Sequence, residues 1–235
     1  MFFLNDVLAL EIVKKILNCV FDKDNDYSLN KALENFAFDI ELPKKVNDST
    51  TNEVTWANTI SNSRFITNEN MKKRDKEKGW MISKKNINSL QELIDIWKSI
   101  NLTTTERVND SINVIKSDTI YRCVNIYRCS DCRDSKNLVF CNSCGDCEFL
   151  LASQRTSSSE YCIRCDDSLN CSNSYNVICS NKIKNSLFIQ DCYDLYECMF
   201  CSHISSKRFC ISNMQFEENE YYKIKESIIN WIMSS

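Results

Sequence analysis

Residues 111–176 read, in steps of six, SINVIK, SDTIYR, CVNIYR, CSDCRD, SKNLVF, CNSCGD, CEFLLA, SQRTSS, SEYCIR, CDDSLN, CSNSYN. Every hexad opens with Ser or Cys, and its fourth residue is Val, Ile, Leu, Thr, Ser or Cys. Counted in threes from Ser111 to Cys210, only Ser, Cys, Thr or an aliphatic residue occurs, apart from Lys207. Of the fourteen cysteines from Cys123 onward, only Cys179 misses this lattice. An internal repeat of this kind sets the frame for any shorter motif. After Cys171 the roles exchange: Val177, Ile183, Ile189 and Leu195 take the hexad starts, as a three-residue phase slip produces.

A period of three fits neither the 3.6 of a helix nor the 2.0 of an extended strand. Short strands alternating with tight corners produce it, with the middle strand residue and the corner residue both facing inward. Small Ser or Cys suits a corner, where hydroxyl or thiol can serve backbone groups. Taken every twelve from Ile115, the outward positions Ile115, Tyr127, Val139, Leu151 and Ile163 are all apolar. The interleaved series Tyr121, Arg133, Gly145, Ser157, Leu169 is mixed. That contrast favours a two-sided coil of about twelve residues over a triangular coil of about eighteen. Roughly eight coils stacked at about 4.8 Å give a rod of about 40 Å, with possible ladders of Asn113, Asn125 and Asn137 along it.

The fold expected is an all-β narrow solenoid, with a mainly helical amino-terminal region and a carboxy-terminal capping helix, α+β overall. Three units follow: 1–108 mainly helical, 109–213 cysteine-rich solenoid, 214–235 capping helix. In the first, Val7, Leu8, Ile12, Ile16, Leu17 and Val20 recur at helical spacing behind Asn5 or Asp6 as cap. Ser28 opens a second helix, bounded by Pro43. Residues 47–86 are polar and ambiguous, with a charged run at Lys72–Lys78. Ser89 and Glu92 form a capping box before Leu90, Leu93, Ile94 and Trp97, a helix expected to cover the first open end of the solenoid. In the tail, Tyr221, Ile224, Ile228 and Ile229 keep a helical period.

Composition narrows the function classes. The 235 residues carry 29 Lys and Arg against 32 Asp and Glu, so no bulk charge attracts nucleic acid. Arg122, Arg128, Arg133 and Arg155 are scattered among acids and form no basic stripe. Two glycines and one proline argue against glycine-rich phosphate loops or glycine turns. Charges at Asp6, Glu11, Lys14 and Lys15 interrupt the first apolar stretch, so neither an export signal nor a membrane span is expected. A cytoplasmic protein with reduced thiols is expected.

CxxC pairs at Cys129–Cys132, Cys141–Cys144, Cys162–Cys165 and Cys198–Cys201 have the spacing of half a zinc site. The inward lattice gives the same spacing with no metal. If zinc or an iron–sulfur cluster binds, Cys141, Cys144, Cys162 and Cys165 are the set expected; otherwise no cofactor is. His203, the one histidine, lies near Cys201 and Cys210 in sequence, but no oxyanion device accompanies a thiol nucleophile there. An outward surface position is expected for it, and no enzyme. Asp22, Asp24 and Asp26 resemble the start of a calcium loop, yet Tyr27 and Leu33 replace its Gly and Glu, leaving a polar connection between helices. No outward Thr ladder supports ice binding.

The stretch CDDSLNCSNSYNVIC, then Cys198, Cys201, Arg208, Phe209, Cys210, Ile211, Asn213, Gln215, Phe216, Glu220 and Tyr221, resembles cysteine-rich hexad-repeat proteins of phages and small-genome bacteria. The resemblance covers residues 110–225 and implies no known activity. It implies a phage-encoded protein, placed in the host cytoplasm or in the virion. The repeat and the absence of a convergent polar site make the leading expectation a non-enzymatic structural or protein-interaction protein that binds a protein partner or itself. The stripe Ile115, Tyr127, Val139, Leu151, Ile163 is either its interaction surface or is covered by the chain's own amino-terminal half. A metal-binding module and a thiol enzyme are the alternatives.

Overall fold

A computed structural model describes residues 2–58, 64–77 and 79–234. Of the ambiguous polar region, residues 59–63 and Lys78 lie outside the described residues. The amino-terminal part comprises α1 (Phe2–Phe21), α2 (Leu29–Phe36), β1 (Lys44–Asn47), β2 (Val54–Ala57), β3 (Phe65–Thr67), α3 (Asn68–Lys76), α4 (Leu90–Ile100) and β4 (Thr103–Thr105). A solenoid of about nine turns follows. Its strands are β5 (Val108–Asn109), β6 (Ile112–Ile115), β7 (Asp118–Tyr121), β8 (Val124–Tyr127), β9 (Ser130–Arg133), β10 (Lys136–Val139), β11 (Glu148–Leu151), β12 (Glu160–Asp166), β13 (Ser172–Ile178), β14 (Asn181–Lys184), β15 (Leu187–Gln190), β16 (Tyr193–Tyr196), β17 (Met199–Ser202), β18 (Ser205–Arg208) and β19 (Cys210–Ile211). β20 (Met214–Gln215) turns back antiparallel on β19, and α5 (Glu218–Ser234) closes the chain.

The coil length is twelve. Lys136 pairs with both Val124 and Glu148, and Ile120 pairs with Cys132, always in parallel. Two ladders lie six residues apart, on opposite sides of the coil.

Each step of three has one division of labour. The residue after an inward position donates its N–H to the carbonyl eleven residues ahead, as Ile112 does to Cys123 at 2.9 Å. The residue before the next inward position donates to the carbonyl thirteen behind, as Arg128 does to Ile115 at 2.9 Å. To aim that N–H backward, every third residue from Asp110 to Ser212 is left-handed, with φ between 46° and 63°. Asn and Asp hold more of these positions than any other type, in line with their tolerance of αL. None is glycine. The scarcity of glycine argued against glycine turns, and the ladder uses none; it holds ordinary residues at its positive-φ positions, at a cost on the order of 1 kcal/mol each.

The inward residue's own N–H needs a third solution, and it explains the Ser/Cys alphabet. The Cys123 N–H donates to Ser111 Oγ, Cys147 to Ser135 Oγ, Cys165 to Ser153 Oγ and Cys198 to Ser186 Oγ, all at 2.9–3.1 Å and one coil apart. The Ser or Cys in turn donates to the carbonyl two residues earlier, as Ser135 does to Arg133 at 2.7 Å and Cys129 to Tyr127 at 3.3 Å. A small donor–acceptor side chain at each corner therefore satisfies buried backbone that no strand partner reaches.

The phase slip has a visible form. β12 and β13 are seven residues long, spanning two triplets each. Through them the mid-strand role passes from the line of Val114, Ile126, Leu138 and Leu150 to the line of Val177, Ile189 and Cys201. The inward lattice is continuous across the change. Asn113, Asn125 and Asn137 form the expected amide ladder, at 2.9 and 2.8 Å.

The outward apolar column runs the whole length of the rod: Ile115, Tyr127, Val139, Leu151, Ile163, Tyr175, Leu187, Met199, Ile211. Helix α1 lies along its first part, burying Ala9, Ile12, Val13, Ile16, Leu17, Val20 and Phe21 against it. Each fully buried aliphatic side chain contributes about 1.5–3 kcal/mol. α5 caps the later coils along the same column through Tyr221, Ile229 and Ile232. α2, opened by Ser28 Oγ accepting from the Lys31 N–H, is fixed by Arg164, which donates to Phe36 O at 2.6 Å and to both Asp39 oxygens.

Three expectations for the amino-terminal part need correction. α1 starts at Phe2, ahead of the cap expected at Asn5 or Asp6. The polar region holds two strands and α3. Helix α4 has the expected cap, with Ser89 Oγ accepting from the Glu92 N–H at 3.2 Å, but buries no side chain. Leu90 is 72% and Trp97 56% exposed, so α4 does not cover the solenoid's first end. What lies there is the layer of β1–β4, joined through buried Thr55 and Thr105 hydroxyls 2.7 Å apart. The connection holding Asp22, Asp24 and Asp26 joins α1 to α2, as expected.

Candidate functional site: the thiol interior and its outer stripe

The regular ladder places thirteen thiols inside the rod, where Cys129, Cys132, Cys162, Cys165 and Cys198 have no exposed surface. All fifteen are unbonded. Only Cys19, on α1, and Cys179, at an outward left-handed position, are exposed. Burial pushes the thiols of Cys129 and Cys141 well above their ordinary value, and that of Cys147 up to about 12. Such thiols resist ionisation, which both nucleophilic attack and metal ligation need.

Cys141, Cys144, Cys162 and Cys165 all point inward, but the coil brings them together only in pairs, Cys141 beside Cys144 and Cys162 beside Cys165. Cys141 and Cys165 share one column two coils apart, and Ser153 stands between them, accepting from the Cys165 N–H. Cys162 sits in the column of Leu150. Among the described residues no group of three or more His, Cys, Asp or Glu side chains is arranged to hold a metal ion. The CxxC spacing comes from one inward residue per triplet.

His203 is outward and exposed, with Ser202 Oγ 2.6 Å from its Nδ1 and Asp191 Oδ2 3.9 Å from its Nε2. Its column continues through Asp191 and Cys179 to Asp167, one coil per step. Cys179 thus lies two coils from His203. Desolvation and the Asp191 and Asp167 carboxylates raise its thiol pKa, the reverse of activation. Cys201 is drawn down to about 7 by the hydrogen bond from Cys198, yet it is only 1% exposed. Neither Cys201 nor Cys210 faces the histidine, which points outward while both thiols point in.

Of the stripe residues, Val139, Leu151 and Ile163 are 0% exposed, Tyr127 is buried and Ile115 half-buried. The chain's own amino-terminal half covers them. While α1 stays docked, Tyr127, Val139, Leu151 and Ile163 offer no free surface to an outside partner.

Sequence reasoning missed a cleft at the amino-terminal mouth of the rod. It measures about 900 Å³ and is lined by Val54, Trp56, Val108, Val114 and Ile115, with Lys45 and Lys116 at its rim. It depends on how the β1–β2 hairpin docks beside β6, a contact between segments far apart in sequence; no local pattern marks it. No helix among the described residues is long and apolar enough to cross a membrane. The fold and interior define a β-solenoid with buried cysteines. No protein-family model, curated protein or solved structure matches the chain.

Proposed function

We propose that this protein is a non-enzymatic structural component, a stiff rod that assembles with a protein partner or with copies of itself, in a phage particle or in the cytoplasm of its host. The observation that carries this reading is how the chain uses its chemistry. Ser and Cys, the residues most able to react, serve as rungs between coils: the serines accept one backbone N–H and donate to one carbonyl, and the thiols donate to carbonyls in the same way, Cys129 also accepting an N–H. A ladder of this kind gives stiffness along the axis, and the clamps α1 and α5 lock its one apolar column.

Sedimentation and cross-linking of the protein in extracts of its native source test this reading. A defined assembly much larger than the 27.5 kDa chain is expected. A bare monomer under all conditions contradicts it, and absence from purified particles removes the virion part alone.

A further inference from the structure

The solenoid's first ladder ends on an open edge. β6 is the terminal strand of its sheet; it pairs with β8 on one side and, among the described residues, with no strand on the other. The ladder's own rule shows what that edge is built to hold. Left-handed residues donate to the carbonyl thirteen positions earlier, as Arg122 does to Asn109 and Phe140 to Tyr127, at 3.0 and 3.1 Å. By that rule the N–H groups of Asn113 and Lys116, both left-handed, aim where residues 100 and 103 belong in a preceding coil. The chain does not go there. Thr103 is drawn off to β3, its N–H donating to Arg64 O at 3.0 Å and its strand pairing with Phe65.

Beside this edge lies the cleft of about 900 Å³ between β6 and the β2 hairpin strand. Its walls are apolar, from Val54 and Trp56 on one side and Val108, Val114 and Ile115 on the other. Its charges balance: Lys45 and Lys116 face Asp6 and Glu106, and Lys116 is already paired with Asp6 at 3.1 Å. A strand edge with regularly spaced donors, set in a neutral apolar slot, matches one kind of occupant better than any other.

We propose that this cleft binds an extended, uncharged peptide segment of a protein partner, which adds to β6 as a parallel strand and supplies the rung that the diverted chain leaves out. Its carbonyls take the N–H groups of Asn113 and Lys116, and its own N–H groups reach the carbonyls of Ser111 and Val114. A small or aliphatic side chain at its central position continues the inward column of Val114. The inference deepens the scaffold reading, on which it rests, by naming the class of partner and the place it docks.

The test uses the full chain and a blocked synthetic peptide copying residues 121–128, the segment that pairs with β6 on its other side, with serine in place of Cys123 and glutamine in place of Arg122 and Arg128 so that it carries no charge. At about 1 mM peptide, half-saturating for millimolar binding, amide exchange at Asn113 and Lys116 should slow by about twofold or more, the factor growing as binding tightens. The same peptide N-methylated at the positions copying Val124 and Tyr127 cannot donate to Val114 O and Ser111 O. It should bind at least about tenfold more weakly, the loss of one or two hydrogen bonds. No change with either peptide overturns the proposal. Equal binding of both overturns strand addition, and protection of the same amides by dimerisation without peptide assigns the edge to a second copy instead. A chain that ignores the peptide yet sediments as a defined assembly sinks the cleft and leaves the scaffold standing.

Discussion

The backbone N–H of Cys165 donates to the hydroxyl of Ser153, one coil below and 3.1 Å away. Cys141 and Cys129 hold the same relation at 3.2 Å, with sulfur as the acceptor. Oxygen and sulfur are interchangeable here because both accept one N–H and donate to the carbonyl two residues earlier, Leu151 O for Ser153 and Tyr127 O for Cys129.

That equivalence makes Ser153 a sharp test. Ser153→Ala leaves a fully buried N–H without an acceptor and should cost about 1–3 kcal/mol. Ser153→Cys should cost much less, since the thiol restores both bonds. Chemical denaturation of the two variants decides it: equal losses would show that space filling alone matters at the corner.

The stripe predicts a different signature. Leu151 is fully buried between the rod and α1, so Leu151→Ala should cost about 2–5 kcal/mol. The loss should appear first as faster amide exchange in α1, ahead of the solenoid strands. A Leu151→Ala chain with unchanged α1 protection would mean that the helix is not held by this column.

Asp48 carries a pH dependence. Burial alone would raise its carboxyl pKa, but hydrogen bonds from Asn70, Thr50 and Thr67 outweigh that and hold it well below the usual carboxylate range. A depressed folded-state pKa means stability that is complete above the unfolded value of about 4 and lost as pH falls through the lower folded value. The layer of β1–β3 and α3 should therefore loosen only in strong acid. Asp48→Asn should lower stability at neutral pH and remove this part of the acid slope; an unchanged slope in melting experiments would contradict the assignment.

Metal removal should do nothing. The buried thiols hydrogen-bond to backbone carbonyls, as Cys147 does to Gly145 and Cys132 to Ser130 at 3.0 and 3.2 Å. Protein purified without oxygen should hold less than one equivalent of zinc or iron, and chelators should leave its melting temperature unmoved. Stoichiometric metal whose removal unfolds the rod would overturn this use of the thiols.

The legible part of the molecule was the part governed by local period. One inward residue in three placed Cys179 outside the lattice and the other late cysteines within it, and the apolar series at intervals of twelve from Ile115 gave the coil length and with it the Asn113–Asn125–Asn137 ladder. The left-handed corners were hidden, because positive φ is ordinarily signalled by glycine and here falls on residues such as Arg128, Phe140 and Phe188. The helix face of Leu90, Leu93, Ile94 and Trp97 has a clear period, but period cannot say what it packs against; none of the four is buried within the described chain. The cleft beside β6 was illegible for the same reason, since Trp56 and Val114 meet only through tertiary docking.

Alkylation of the native protein, mapped cysteine by cysteine, bears most directly on the thiol ladder. Cys19 and Cys179 should label quickly, and the other thirteen only as fast as the whole rod unfolds. Labelling of Cys129, Cys141 or Cys144 at the rate of Cys179, with the fold intact, would mean that residues three apart do not share one interior.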